Sequence, residues 1–248
     1  MVALEVSTEP YAAVGIAFSA GGLLPCRELL AALPATFQLP ILVVQHLSNR
    51  FSSRLPEILS WSPGLPAKWA GNEERPTAGI AYVAPPNHHL LITRTGLLTL
   101  SSGSKVNHFR PAADPLFESM AQVFGRRSIS VVLSGLLTDG WRGTAAVHKC
   151  GGLTMTQNKR TCEFFDMPSA AIDYGKAEVV LAPRRLALAL DAVMDQASQR
   201  EARLRRRRQG DDARSSTPAR IQRPRSNVAL PSQPEASIVV RTVMEPSF

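Results

Sequence analysis

Cysteine is scarce and unpatterned: Cys26, Cys150 and Cys162 form neither a Cys-x-x-Cys pair nor a cysteine and histidine ligand spacing. An odd, scattered set of this kind excludes a disulfide framework and a zinc site, and reads as buried structural thiols. Long apolar runs are also missing. No stretch approaches the ~18 residues that a bilayer span requires, and the segment Met1 to Pro10 has neither the basic nor the apolar region of a secretion signal. A soluble, cytoplasmic protein without a membrane span is expected. Neither G-x-G-x-x-G nor G-x-x-x-x-G-K-[ST] occurs, so the glycine pair Gly21-Gly22 does not signal a nucleotide site. No internal repeat is evident.

What the chain does have is an excess of positive charge, unevenly placed. The net charge of +8 over 248 residues is concentrated after residue 198, where 11 Arg stand against 5 acidic residues and leave the remainder of the chain near neutrality. Residues 199–248 are rich in Arg, Ser, Pro and Gln, with too few large apolar side chains to offset the entropy of ordering. A disordered tail is expected there, from about Gly210 onward. Its run Arg205 to Arg208 suits nucleic acid, anionic lipid or an acidic protein surface, or serves only as a solubilising extension. The organisation expected is a short lead at 1–12, one domain at 13–198 and the tail at 199–248.

Within the domain, short apolar strands at Ala13 to Phe18, Ile41 to Gln45, Ile129 to Ser134, Leu153 to Thr156 and Glu178 to Ala182 alternate with helical patterns. This alternation predicts an α/β fold with a doubly wound, mainly parallel sheet and helices on both faces. One helix is punctuated by Asp114 as N-cap, Pro115 at the first position, an apolar face of Leu116, Phe117, Met120 and Phe124, and Gly125 at the end. Another follows Ala182, with Leu186, Leu190, Val193 and Met194 on one side. In the middle, Ile80 to Ala84, Leu90 to Thr93 and Leu97 to Leu100 read as short strands, the last two separated by Arg94-Thr95-Gly96, and this part reads as an antiparallel hairpin appended to the sheet.

Ligand sites in open parallel sheets lie beyond the carboxyl ends of the strands. Ser19 follows the first strand, His46 the second, and Asp139 lies in the turn after Ile129 to Gly135. Each has an ordinary use: a serine caps a helix, a histidine closes a strand, an Asp-Gly pair makes a turn. Together they form a chemical set, because a serine needs a base to become nucleophilic and a carboxylate fixes the imidazole tautomer. Gly21 and Gly22 permit a tight turn, and the unpaired amides of the helix they open can stabilise an oxyanion. Four other histidines, His88, His89, His108 and His148, compete for the role of base.

A longer series of motifs accompanies this set: Val14 to Gly22, Val43-Val-Gln-His-Leu47, Tyr82-Val-Ala-Pro-Pro86 with His89, Arg110-Pro111 with Asp114, Ser134 to Gly140, Gly151-Gly152 with Gln157-Asn158, and Met167-Pro-Ser-Ala-Ala171. In order and spacing, from about Val14 to about Val193, the series resembles the catalytic domain of the CheB-type chemotaxis protein-glutamate methylesterases. The resemblance implies hydrolysis of glutamate methyl esters on the cytoplasmic helices of methyl-accepting chemotaxis receptors, releasing methanol, and in some members deamidation of receptor glutamines. It assigns Ser19 as nucleophile, His46 as general acid and base, Asp139 as its orienting carboxylate, and the backbone amides near Ala20 and Leu136 as oxyanion hole. No metal or organic cofactor is implied. A chemosensory kinase or a separate receiver protein is a further implied partner.

Two departures stand out. Family members commonly carry a hydroxyl residue where this chain has Ala20, and Gly-Met-Gly-x-Asp-Gly where it has Gly135-Leu-Leu-Thr-Asp-Gly140. If the replaced glycine has positive φ, Leu137 is strained or shifts the loop. The receiver domain that usually precedes the catalytic domain is not expected here, nor is regulation by phosphorylation in cis. A catalytically weak docking or regulatory module with the same fold is the alternative reading.

Overall fold

The computed structural model describes residues 10–46, 53–61 and 65–195. The tail at 199–248, its Arg run and most of the lead at 1–12 lie outside the described residues.

Strands β1 (Ala13–Phe18) and β2 (Ile41–Gln45) are near-continuous apolar runs, and every residue of β1 is buried. That pattern is what a parallel strand covered on both faces requires. β1 pairs in parallel with β2 on one side and with β7 (Ser128–Val132) on the other. The sheet extends from β2 through β4 (Ala81–Val83) to β3 (Ala67–Trp69), and from β7 through β8 (Leu153–Gln157) to β9 (Val179–Leu181). All seven strands are parallel, in the order β3-β4-β2-β1-β7-β8-β9. A separate antiparallel pair, β5 (His89–Ile92) and β6 (Leu98–Ser101), supplies the hairpin.

Alternate residues of each central strand feed two cores. Val14, Ile16, Phe18, Ile41 and Val43 pack with α1 (Leu23–Ala32), α2 (Leu55–Ser60) and a C-terminal helix, α6 (183–195), through Cys26, Leu29, Leu59, Leu186 and Leu190. On the other face Ala13, Ala17, Leu42 and Val44 pack with α3 (Ala113–Phe124), α4 (Trp141–Lys149), α5 (Asp166–Asp173) and the hairpin, through Phe117, Met120, Val147, Met167 and Leu90. The doubly wound architecture read from the sequence is therefore present. Chain direction across the sheet reverses at β1, which has β2 on one flank and β7 on the other. Ligand sites form at such a reversal.

Three local expectations are corrected. Ile80 to Ala84 does not belong to the hairpin: β4 is buried throughout and lies between β2 and β3, while β3, too short to announce itself, forms the edge. Asp114 is not the N-cap of α3; the helix begins at Ala113 with Ala112 as N-cap, leaving Asp114 inside the first turn. The thiols do not share one environment. Cys26 is buried, Cys162 half-buried and Cys150 exposed, because Cys150 is the C-cap of α4 where the chain leaves the sheet's cover. Burial raises the Cys26 thiol and pushes Cys162 up to about 12 despite a hydrogen bond involving Ser134.

Candidate active site

The turn after β1 is fastened to the loop after β7. Ser19 N donates to Ser134 O at 3.0 Å, and Ser134 Oγ donates to Ala20 O at 2.9 Å. Gly21 turns the chain with φ +68°, and a Cβ there would lie 2.7 Å from Glu163 Cβ and 2.9 Å from Ser134 Oγ. Only glycine satisfies both conditions. The N-cap of α1 is Gly22 and no side chain caps it, so Ser19 does not serve as a side-chain helix cap. Gly135 brings the second loop equally close: a Cβ there would be 3.0 Å from Ser19 Cβ. Among the described residues, the amides of Ala20 and Leu136, on the two sides of this junction, donate no hydrogen bond.

His46 leaves β2 one residue after Gln45, which is in register with Phe18, so Ser19 and His46 emerge side by side from adjacent strands. Neighbouring strands are ~4.8 Å apart. His46 N donates to Phe18 O at 3.3 Å. Its side chain is 3% exposed, and its Nε2 lies 2.7 Å from Asp139 Oδ2. Nδ1 is buried without a hydrogen-bond partner, leaving it as the nitrogen open to further chemistry. Phe109 stacks on the imidazole with centroids 3.5 Å apart and planes 5° from parallel. An aromatic face there fixes the ring plane.

Asp139 is fully buried, a position a carboxylate occupies only with good partners. Besides His46, it accepts hydrogen bonds from Ala113 N at 2.6 Å, Asp114 N at 3.3 Å and Asn107 Nδ2 at 3.0 Å. The first two are free amides of the α3 N-terminus, so Asp139 provides the cap that the sequence pattern assigned to Asp114. Burial raises its pKa, but the hydrogen bond and charge of His46 and the donors at Ala113 and Asn107 outweigh this and hold the carboxyl below its usual range.

Asp114 returns the favour to the neighbouring helix. Its Oδ1 accepts from Gly143 N, in the first turn of α4, at 2.9 Å, and its Oδ2 accepts from Asn107 Nδ2 at 2.9 Å. Burial, reinforced by the negative charges of Asp139 and Glu118, pushes Asp114 up to about 6 against the hydrogen bonds from Gly143 and Asn107. One amide group thus bridges two buried carboxylates with its two hydrogens. The turn that delivers it carries positive φ at both Asn107 (49°) and His108 (72°) and closes through Val106 and Phe109.

Sequence reasoning did not identify Asn107 or Phe109. The signal was the Asn-His-Phe segment just ahead of Arg110-Pro111. His89 braces the same region, accepting from Ala112 N at 3.2 Å and pairing through Nε2 with Ser104 O at 3.0 Å. His88 pairs with Pro86 O, and His108 and His148 are exposed. None of these four lines the groove described next.

A groove of about 620 Å³ opens over the junction, lined among others by Ser19, Ala20, Gln45, His46, Arg27 and Glu163. Ser19, Ala20 and His46 are therefore brought together at one opening, with Asp139 beneath His46. Leu136 and Leu137 stand exposed on the β7 loop, at 44% and 51%. Leu137 has φ +65°, so the loop keeps a left-handed residue there and the leucine bears the strain. Its amide reaches Asp166 Oδ2 at 3.4 Å. Among the described residues, no group of three or more His, Cys, Asp or Glu is placed to hold a metal ion, and no helix is long and apolar enough to cross a membrane.

Strand order, loop junction and buried Asp–His pair define a doubly wound α/β protein with its groove at the sheet reversal. The family model described as CheB methylesterase matches residues 14–190, and the chain belongs to that family. A Leptospira interrogans protein named for protein-glutamate methylesterase and protein-glutamine glutaminase activities is 36% identical over 177 residues, covering 71% of this chain and 92% of that protein. A Caulobacter vibrioides protein-glutamate methylesterase/protein-glutamine glutaminase is 38% identical over 176 residues, covering 69% of this chain and 51% of the relative. The chain thus spans about half the length of that relative. Among solved structures, the Thermotoga maritima CheB methylesterase catalytic domain superposes with a TM-score of 0.69 at 32% identity, covering 73% of this chain and 97% of that one.

Proposed function

We propose that this chain is a serine hydrolase that removes methyl esters from glutamate side chains of methyl-accepting chemotaxis receptors, releasing methanol, and that it deamidates receptor glutamines at the same site. The observation that carries the reading is the His46–Asp139 pair, whose imidazole keeps a buried, unpartnered Nδ1 and belongs to a residue that lines the same groove as Ser19. Since Asp139 occupies Nε2, Nδ1 is the base. It takes the Ser19 hydroxyl proton as Oγ attacks the ester carbonyl, and Asp139 stabilises the imidazolium. The amides of Ala20 and Leu136 receive the tetrahedral oxyanion, each such donor being worth about 3 kcal/mol in a serine hydrolase. His46 returns the proton to the leaving methoxide, then activates water against the acyl-enzyme. With a glutamine, ammonia leaves instead.

The implied partners are the receptors' cytoplasmic helices, with a chemosensory kinase or receiver protein as further candidates, and the cytoplasm is the implied compartment. One observation favours a second reading, a catalytically weak docking module: Leu137, strained and exposed, sits next to the amide assigned to the oxyanion. Methanol release from methylated receptor cytoplasmic fragments decides between them. The hydrolase reading expects release by the wild type and background release by Ser19→Ala; background release from both sinks it.

A further inference from the structure

Among the described residues, four buried side-chain nitrogen or oxygen atoms lack a hydrogen-bond partner, and two of them, Arg27 Nε and His46 Nδ1, belong to residues lining the same groove. His46 Nδ1 already has a use in the proposed chemistry. Arg27 does not. It stands in α1, one turn after Leu23, and helical side chains lean toward the helix N-terminus, in keeping with its lining the groove that Ser19 also lines. No ion pair joins it to Glu163, which lines the same groove, or to any other described carboxylate. A guanidinium that lines a groove without a carboxylate partner among the described residues keeps its charge for a ligand there, whose anionic group would offset the cost of burying part of it. A guanidinium presents a planar fork of donors matched to a carboxylate.

We propose that Arg27 is a specificity residue that engages a carboxylate side chain flanking the scissile ester, so that the enzyme selects glutamyl esters set among acidic residues. The inference rests on the esterase reading for its substrate but not for its test. The target ester is neutral, as is glutamine, and neither offers Arg27 an anionic acceptor. A neighbouring Glu or Asp one helical turn away on the same protein substrate does. The substrate carboxylate completes the Arg27 hydrogen bonds while Ser19 attacks the ester.

The experiment uses two helical peptides, each with one γ-methyl glutamate, flanked one turn away on both sides by Glu in one peptide and by Gln in the other. Binding to the full-length Ser19→Ala protein is read by fluorescence anisotropy at low ionic strength, and methanol release is measured with the wild type. Binding of the Glu-flanked peptide about tenfold tighter is expected, and the ratio should fall to about one when Arg27→Gln is added and recover in part with Arg27→Lys. Equal binding of the two peptides by the Arg27-containing protein, which needs no variant at this position, overturns the proposal. So does a preference that survives Arg27→Gln. Tighter binding of the hydrolysed, Gln-flanked peptide than of its ester also overturns it, by assigning the guanidinium to the product carboxylate. Carboxylate-selective binding without methanol release supports Arg27 while sinking the esterase reading, so the two failures are separable.

Discussion

Asn107→Ala should destabilise the fold by an amount that depends on pH, because the lost amide serves ionised carboxylates. In the wild type, Asn107 Nδ2 gives one hydrogen to Asp139 at 3.0 Å and the other to Asp114 at 2.9 Å. Hydrogen bonds to charged groups contribute about 1.5 to 3 kcal/mol each, so losing both at pH 8 costs about 3 kcal/mol or more. At pH 5 the cost is smaller. Asp114 has its pKa raised from 3.8 to about 6, and such a raised carboxyl makes the fold less stable as pH climbs from 3.8 towards 6, with no further change above. Removing a donor that favours the ionised form raises this pKa again. Each further unit adds about 1.4 kcal/mol to the pH 5 to pH 8 loss of stability in the variant. Asp139, held below its usual range, stays ionised at both pH values and cancels from the comparison. Urea unfolding at pH 5 and pH 8 reads the result: a penalty of about 3 kcal/mol at pH 8 and roughly 1.4 kcal/mol less at pH 5. An equal penalty at both pH values refutes the argument that Asn107 supports an ionised Asp114.

Asp139→Asn places amide hydrogens against the α3 N-terminal amides and removes the negative charge beside His46. Stability should fall by about 2 kcal/mol in urea, and methanol release by about 10³ to 10⁴. Unchanged stability would refute the capping role. At Leu137, which has φ +65° and is half exposed, the order of stability in urea unfolding should be Asn at or above Leu, with Val below by about 1 kcal/mol, since a β-branched residue tolerates the left-handed region worst. A Val variant as stable as wild type would show that the loop relaxes freely. Gly21→Ala should cost about 2 kcal/mol or more, from positive φ and from contact with Glu163 and Ser134, and differential scanning calorimetry would detect it.

Much of this site was legible in the sequence because a parallel sheet converts chain order into geometry. Ser19, His46 and Asp139 each follow a strand, and β1, β2 and β7 are neighbours, so reading the strands was enough to gather the three residues. The strain at Leu137 was also legible, since the expected left-handed position was occupied by a residue that disfavours it. What escaped reading depends on contacts between distant segments. Asp114 looks like an N-cap by local pattern, yet the cap is Asp139, supplied from the β7 loop. Asn107 and Phe109 reach the site through a turn with two positive-φ residues that no apolar periodicity marks. Ala81–Val83 resembles a hairpin strand in composition, and only its burial on both sides by β2 and β3 shows where it pairs.

The crossed bracing of α3 and α4 has a kinetic meaning. Asp139, from the loop before α4, holds the first amides of α3, while Asp114, from the first turn of α3, holds the amide of Gly143 in α4. Neither helix start can fray without releasing a buried carboxylate held at the start of the other. The amides of Ala113, Asp114 and Gly143 should therefore exchange with solvent deuterium together, as one cooperative opening. That opening also removes His46's carboxylate partner. The pairing of His46 with Asp139 is thereby tied to the breathing of two helix ends on the far face of the sheet.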